Sequence, residues 1–564
     1  MEQLHNRVPT LPIEVWRLVA QELAGGDYPL SDLVAFSRVC WAFARVGLPE
    51  AYAAYMRHTL DVFYVGEPDE DIFPGFRFWR SIVSSCLGSA LFPYFLWITR
   101  LDLCNLHQSI PDPLRPEHLI DLFGSHPLES LGIWQDGSNG LDVNVVGTKI
   151  VNLICEAIWK ARDEGRSSRI EDFCVVADFL SPSYLAKLVA ALPNLTEIQC
   201  LDAAFLNGDI GRVVWASCPS FKLLHVSDPH LTSNDSQLQD FVQNLGPDTL
   251  EGFVLVDTFP TGPELAILIN ILRRQSRSLK TLDLKLLPEN TQTDSISLLP
   301  SFGMLRYFRD LESVSLDLDR TWIHANEATD WQGEPPDVQP IAKWLSSCSR
   351  LKNLTLRYFP FLQPIFAQAF GSSPIRLTSL KLTLLIQFIS DEMWEALSKQ
   401  TELEKLEIRW LTLADVPNTV HQSRRERLVQ LVTSCRKLQA LTLDEDLHYD
   451  DLQLIMSLPD LQDINLVVHH LDDRCVASLA NLISGRSIKL YGITSTATAE
   501  ATRRLLEVIF ERHGGEYYGD LCIWFRTTHQ HQGFTKREFI ELRQLMKDQF
   551  YGLGLFNLTP EPLS

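Results

Sequence analysis

The sequence predicts an α/β solenoid, a curved parallel sheet with outer helices, preceded by a small all-helical unit. Three observations carry this expectation. An apolar triple recurs as Leu279-x-x-Leu282-x-Leu284, Leu351-x-x-Leu354-x-Leu356, Leu377-x-x-Leu380-x-Leu382, Leu403-x-x-Leu406-x-Ile408 and Leu438-x-x-Leu441-x-Leu443. Several successive triples begin about 23 to 32 residues apart, the length of one strand-plus-helix repeat. A cysteine or leucine stands three residues before several of them: Cys218 before Phe221, Cys348 before Leu351, Cys435 before Leu438, Leu192 before Leu195 and Leu458 before Leu461. Branched apolar residues are common enough to make such triples by chance. The spacing and the upstream residue lift these above that level.

The N-terminal unit comes first. Leu11-Pro12-Ile13-Glu14 opens an amphipathic helix with Val15, Leu18, Val19 and Leu23 on one apolar side. Pro12 suits a first turn, where a missing N–H costs nothing. Gly25, Gly26 and Pro29 break the helix, and Ser31-Asp32 offers a new N-cap ahead of Leu33 to Phe36. Ser37 to Phe43 continues in helical rhythm. The next segment, Ser81 to Thr99, carries no charged residue and has the length of a membrane span. Its serines, Gly88 and Pro93 make it less apolar than a span, so it is expected to be a buried helix leading into the first strand, at Ile98-x-x-Leu101-x-Leu103.

The triples follow. The last two apolar residues of each share one strand face. Adjacent strands pair in parallel, and each repeat buries that face only against its neighbours, which is the logic of a leucine-rich-repeat array. The upstream cysteine marks where a repeat's helix ends, and its expected role is that of a small buried hydrophobe. Amphipathic stretches such as Glu264 to Arg274 and Arg424 to Thr433 supply the intervening helices. The array is irregular. The gaps from Leu128 to Ile170 and Leu403 to Leu438 are long, and the one from Leu311 to Leu351 holds Asp330-Trp-Gln-Gly-Glu-Pro-Pro-Asp337, which reads as a looped insertion. From about Ser495 the pattern changes to a helix over Ala499 to Arg512, a strand over Leu521 to Phe525 and a helix over Lys536 to Phe550. The expected organisation is a helical domain at 1–50, a helical linker or cap at 51–97, repeats over 98–495 and a C-terminal cap at 496–564.

The order Leu-Pro-x-Glu, helix, break, Asp-Leu, then Arg38-Val39-Cys40-Trp41-x-Phe43 resembles the F-box. The likeness covers roughly Leu11 to Val46, and with the repeats the chain resembles the F-box/leucine-rich-repeat proteins. That resemblance implies a substrate-recognition subunit of a Skp–cullin–F-box ubiquitin ligase. It implies Skp-adaptor contacts at Leu11, Pro12, Val15, Leu18, Val19, Leu23, Leu33, Val39, Cys40 and Phe43, with a cullin reached through the adaptor and a target protein held by the repeats. The alternative is a repeat scaffold with no ligase role, its N-terminal residues merely capping the solenoid's first open end.

Composition narrows the function classes. The chain has 564 residues, 45% hydrophobic and 21% charged, with a formal net charge of -21. That balance disfavours nucleic acid, which needs a basic face. The 11 cysteines form no C-x-x-C pair, so neither a disulfide framework nor a zinc site is expected. Met1 to Thr10 is polar, with no secretory signal. A reducing compartment, cytoplasmic and/or nuclear, is expected, and the sequons at Asn194, Asn353 and Asn557 are then silent. No hydrolase elbow, phosphate loop, dinucleotide fingerprint or zinc-protease motif occurs. No catalytic residue, metal, cofactor or membrane contact is expected, and His469-His470 and His529-x-His531 read as surface. On the strands, Asn353, Thr355 and Arg357, then Ser379, Lys381 and Thr383, then Lys405, Glu407 and Arg409 flank the apolar pairs. Arg357, Lys381, Lys405 and Arg409 would form a basic patch for an acidic or phosphorylated peptide. Ordinary cross-strand pairing, with Glu407 as neutraliser, is the plainer reading.

Overall fold

The computed structural model describes residues 12–24, 29–58, 72–109, 122–123, 143–175, 180–200, 206–227, 236–258, 262–287, 299–318, 337–359, 361–384, 389–410, 418–479, 487–495, 497–512, 520–525 and 541. The chain divides into two compact units, Met1–Thr258 and Phe259–Ser564. The Asp330–Glu334 part of the insertion, the residues around Leu128 and nearly all of the expected 536–550 helix lie outside the described residues.

The first unit opens with three helices, α1 (Ile13–Ala24), α2 (Pro29–Ser37) and α3 (Trp41–His58). They close on Ala20, Leu33, Val46, Ala51 and Ala54, with Trp16, Leu23 and Phe36 packed alongside. Trp16 and Phe36 both lie on Phe43, at ring distances of 4.3 and 4.5 Å. Helix α3 comes so near α2 at Gly47 that a Cβ there would run into the Ser37 hydroxyl and the Phe36 ring. Two sequence expectations shift. Helix α2 starts at Pro29 rather than at a Ser31-Asp32 cap, since proline presets the first-turn backbone. Helix α3 continues through Pro49 to His58, across the expected boundary at 50, because Ala51, Ala53 and Ala54 beyond that proline are buried.

The uncharged 81–99 stretch is not one helix. Helix α4 (Ile72–Cys86) ends where Gly88 takes a left-handed φ of 73°. A short 3₁₀ turn at Tyr94–Leu96 then leads into β1 (Arg100–Asp102). Among the described residues no helix is long and apolar enough to cross a membrane.

From there strand and helix alternate: α5 (Leu103–Ser109), α6 (Val143–Asp163), β2 (Asp172–Val175), α7 (Pro182–Ala190), β3 (Glu197–Cys200), α8 (Gly208–Ser217), β4 (Leu223–Ser227), α9 (Ser236–Asn244) and β5 (Gly252–Thr258). The strands pair in parallel, and Leu101, Phe173, Ile198, Leu224 and Phe253 stand in one register row. All five are fully buried.

The second unit runs α10 (Gly262–Leu272), β6 (Thr281–Leu287), α11 (Leu299–Phe302), β7 (Ser313–Leu318), α12 (Gln339–Ser347), β8 (Asn353–Arg357), α13 (Leu362–Phe370), β9 (Ser379–Leu384), α14 (Asp391–Ser398), β10 (Lys405–Trp410), α15 (Asn418–Ser434), β11 (Ala440–Leu447), α16 (Tyr449–Met456), β12 (Asp463–Leu471), α17 (Asp473–Leu479), β13 (Ser487–Ser495), α18 (Ala499–Arg512) and β14 (Asp520–Phe525). Its strands are again parallel. One apolar row passes through Leu282, Val314, Leu354, Leu380, Leu406, Leu441, Ile464 and Ile488 to Leu521. This is the leucine-rich-repeat solenoid that the triples predict. Strand β14 pairs with β13 in the same register, so the parallel array extends beyond the expected limit at 495, into the region read as a cap.

The upstream cysteines have a definite place. Each ends a helix and is buried. The Cys218 thiol lies 3.4 Å from the Leu192 carbonyl, Cys348 3.3 Å from Phe308 O and Cys435 3.4 Å from Gln400 O. Each thiol thus donates to a carbonyl of the preceding repeat. Burial pushes the Cys218 and Cys348 thiols up to about 12, so they stay protonated donors at neutral pH. Backbone hydrogen bonds repeat the step: Glu312 O accepts from Lys352 and Asn353, Lys352 O from Thr378 and Ser379, and Thr378 O from Glu404 and Lys405.

Candidate functional site

Two surfaces carry the sequence-predicted residues, one in each unit. On the helical cluster, Leu11 lies outside the described residues. Pro12 is exposed, and its carbonyl accepts the Val15 N–H at 3.0 Å, closing the first turn of α1. Val15, Leu18 and Val39 are exposed by 36%, 62% and 66%. Val19, Leu23 and Cys40 are half-buried. Leu33 and Phe43 are different. Leu33 is fully buried and Phe43 nearly so, because both fill the space between the three helices. They hold the cluster together and have little or no surface for a partner, so the contact role expected of them is corrected to a core role.

The structure adds Ile13 and Val34, both exposed. Ile13, Val15, Leu18, Val34 and Val39 are five of the ten exposed large apolar side chains among the described residues. That crowding into one short segment is the main departure of the surface from ordinary scatter. The missed pair had a signal: Val34 follows core-facing Leu33, and one step along a helix turns it off the core face.

On the sheet face of the second unit, Arg357, Lys381 and Arg409 do converge, and they converge on Glu407. Its carboxylate is 2.7 Å from Arg409 Nε, 3.2 Å from Arg357 Nη2 and 3.7 Å from Lys381 Nζ. Arg357 also reaches Asp317 of β7 at 3.7 Å. Lys405 is exposed and makes no ion pair among the described residues. Three of the four cations are therefore a partly neutralised fan around Glu407, and Lys405 stands outside it. Asp317 was missed because it lies forty residues before Arg357, and only the β7–β8 register makes them neighbours. One strand further, burial raises the Asp444 carboxyl, with Arg409 acting against it.

Elsewhere in this unit Glu445 is buried and accepts hydrogen bonds from Arg424 Nη2 at 3.0 Å, while His421 Nδ1 lies 3.1 Å away. The Arg424 guanidinium lies 4.1 Å from the centre of the Trp410 ring. The cluster ties α15 to β10 and β11. Of the histidine pairs, His470 is exposed, the His469 side chain and both His529 and His531 lie outside the described residues.

No family model matches the chain, and no curated protein matches it. Among solved structures, the chain is similar to one of the Rad7 and Elc1 complex in yeast. The match has 16% identity and a TM-score of 0.39, and covers 63% of this chain and 86% of that one.

Proposed function

We propose that the chain is a non-catalytic substrate receptor of a ubiquitin ligase. Its N-terminal helices hold a Skp-type adaptor, and a cullin through it, while the repeats hold a target protein in the cytoplasm or nucleus. One observation carries this reading: Ile13, Val15, Leu18, Val34 and Val39 expose apolar surface on a cluster whose own core is thin. A unit this small gains from a partner that covers such residues, and Val15, Leu18 and Val39 are among the positions that the F-box resemblance assigns to the adaptor. Rate enhancement then comes from proximity, by raising the local concentration of target lysines near a charged conjugating enzyme. No side chain of this chain makes or breaks a bond. The Glu407 fan offers the target oriented cations whose geometry is already set, suited to an acidic segment that replaces Glu407 as their partner.

The test is co-purification of the full chain with a Skp adaptor. Wild type is expected to retain the adaptor. Leu18→Glu and Val39→Glu are expected to lose it with an unchanged melting temperature, since neither side chain belongs to the core. Leu33→Ala is expected to lower stability by about 2–5 kcal/mol. Absence of the adaptor from the wild-type sample would overturn the receptor reading and leave the scaffold.

A further inference from the structure

We infer that Cys104 and Cys174 are a dithiol pair that closes reversibly into a disulfide, linking α5 to β2 in the first unit. Their Sγ atoms are 2.9 Å apart, inside ordinary sulfur contact and short of a covalent bond. The two residues are 70 apart in sequence, so only the fold brings them together. Strand register explains how. Cys174 stands opposite Asp102 on neighbouring strands, and α5 begins directly after Asp102, so Cys104 sits in its first turn.

The surroundings hold the pair in place. Asp102 Oδ1 accepts the Asn105 N–H at 2.9 Å, and the Asn105 side-chain carbonyl accepts Trp79 Nε1–H at 2.9 Å. Those bonds fix the first turn of α5 over β2. The same three side chains, Asp102, Cys104 and Cys174, offer ligand atoms within 4.8 Å of one another. A metal reading is weaker, because Asp102 is already committed. One oxygen caps α5 and the other lies 3.5 Å from Arg100 Nε, which puts a fixed cation beside any incoming ion.

Exposure sets the order of the chemistry. Cys104 is half-buried and Cys174 is buried. The hydrogen bond to Cys104 and then burial push the Cys174 thiol up. Cys104 therefore attacks first. With a low-molecular-weight disulfide as oxidant, the Cys104 thiolate displaces one small thiol and forms a mixed disulfide. Cys174 gives up its proton, attacks the Cys104 sulfur and releases the second small thiol. The pair loses two electrons and two protons, and the oxidant is reduced to two thiols.

The experiment uses the full, reduced chain and oxidised glutathione. Intact mass is expected to fall by two hydrogens, and a non-reducing peptide map is expected to show one cross-linked species joining the Cys104 and Cys174 peptides, reversed by dithiothreitol. The oxidised wild type is expected to melt several degrees above the reduced form. Cys174→Ser is expected to stop at a Cys104–glutathione adduct and show no such shift. Free thiols at both positions in the oxidised wild type, or a wild-type Cys104 that stops as the glutathione adduct, would overturn the inference. So would stoichiometric zinc binding that shields both thiols and is lost in Cys174→Ser, which would make the pair a metal site instead.

Discussion

Individual residues on the sheet face behave according to the charges that the fold sets beside them. Asp172 shows this. Burial, then Glu197 on the neighbouring strand, raise its carboxyl to about 6, with Arg100 pulling the other way. The folded chain therefore holds a proton there at pH values where the unfolded chain has released it. Stability from this site is present below the ordinary value of 3.8 and falls as pH rises through about 6. Asp172→Asn is expected to raise the melting temperature at pH 7.5 and to change it little at pH 4, in thermal scans at both. Arg424 and Glu445 form the opposite case, a buried ion pair with His421 beside it. Arg424→Met leaves the Glu445 charge stranded and is expected to cost about 3–5 kcal/mol in urea denaturation. Adding Glu445→Gln should recover part of that loss. The Glu407 fan was half legible: the cations and their neutraliser could be named from the strand pattern, whereas Asp317 could not.

At the scale of single elements, the strands were the most legible part. A triple states both the strand and its buried face, because alternate residues share a face. In β7, Val314 and Leu316 point into the core, while the alternate residues Ser313 and Ser315 are half-buried on the other face. Leu316→Ala is expected to destabilise the second unit by about 2–5 kcal/mol, and Ser315→Ala by less than about 0.5, in chemical denaturation. Helix boundaries were less legible. Ser390 caps α14 by accepting the Met393 N–H at 3.2 Å, and Ser390→Ala is expected to cost about 1 kcal/mol. Helix α3 ran through Pro49, and the 81–99 stretch broke at Gly88. Burial of Ala51, Ala53 and Ala54 carried the first past its proline, whereas the left-handed Gly88 ended the second.

At the scale of the whole molecule, stability is a sum of nearest-neighbour terms. Among the described strands of the second unit each inner one is held by the strand on either side, so losing β14 uncovers β13. Removing residues 513–564 takes away β14 and is expected to speed amide exchange most in β13, less in β12 and least in β8, measured by hydrogen–deuterium exchange. Uniform acceleration through the second unit would show a single cooperative block instead. The same neighbour rule fits a parallel pattern that outlasts the region where triples were easiest to see: β14 keeps the register of β13, with Leu521 and Ile523 opposite Ile488 and Leu490.

Legible in the chain alone were the α/β repeat architecture, the order of strand and helix, and the buried role of the upstream cysteines. Those follow from local periodicity and from the need of each repeat to cover its apolar face. Tertiary structure alone decided which apolar residues of the N-terminal helices are core and which are surface, since that depends on how three short helices cross. It also decided which acids meet Arg357 and Asp172, and that Cys104 meets Cys174. These are contacts between distant positions, and strand register, which no single repeat encodes, sets them.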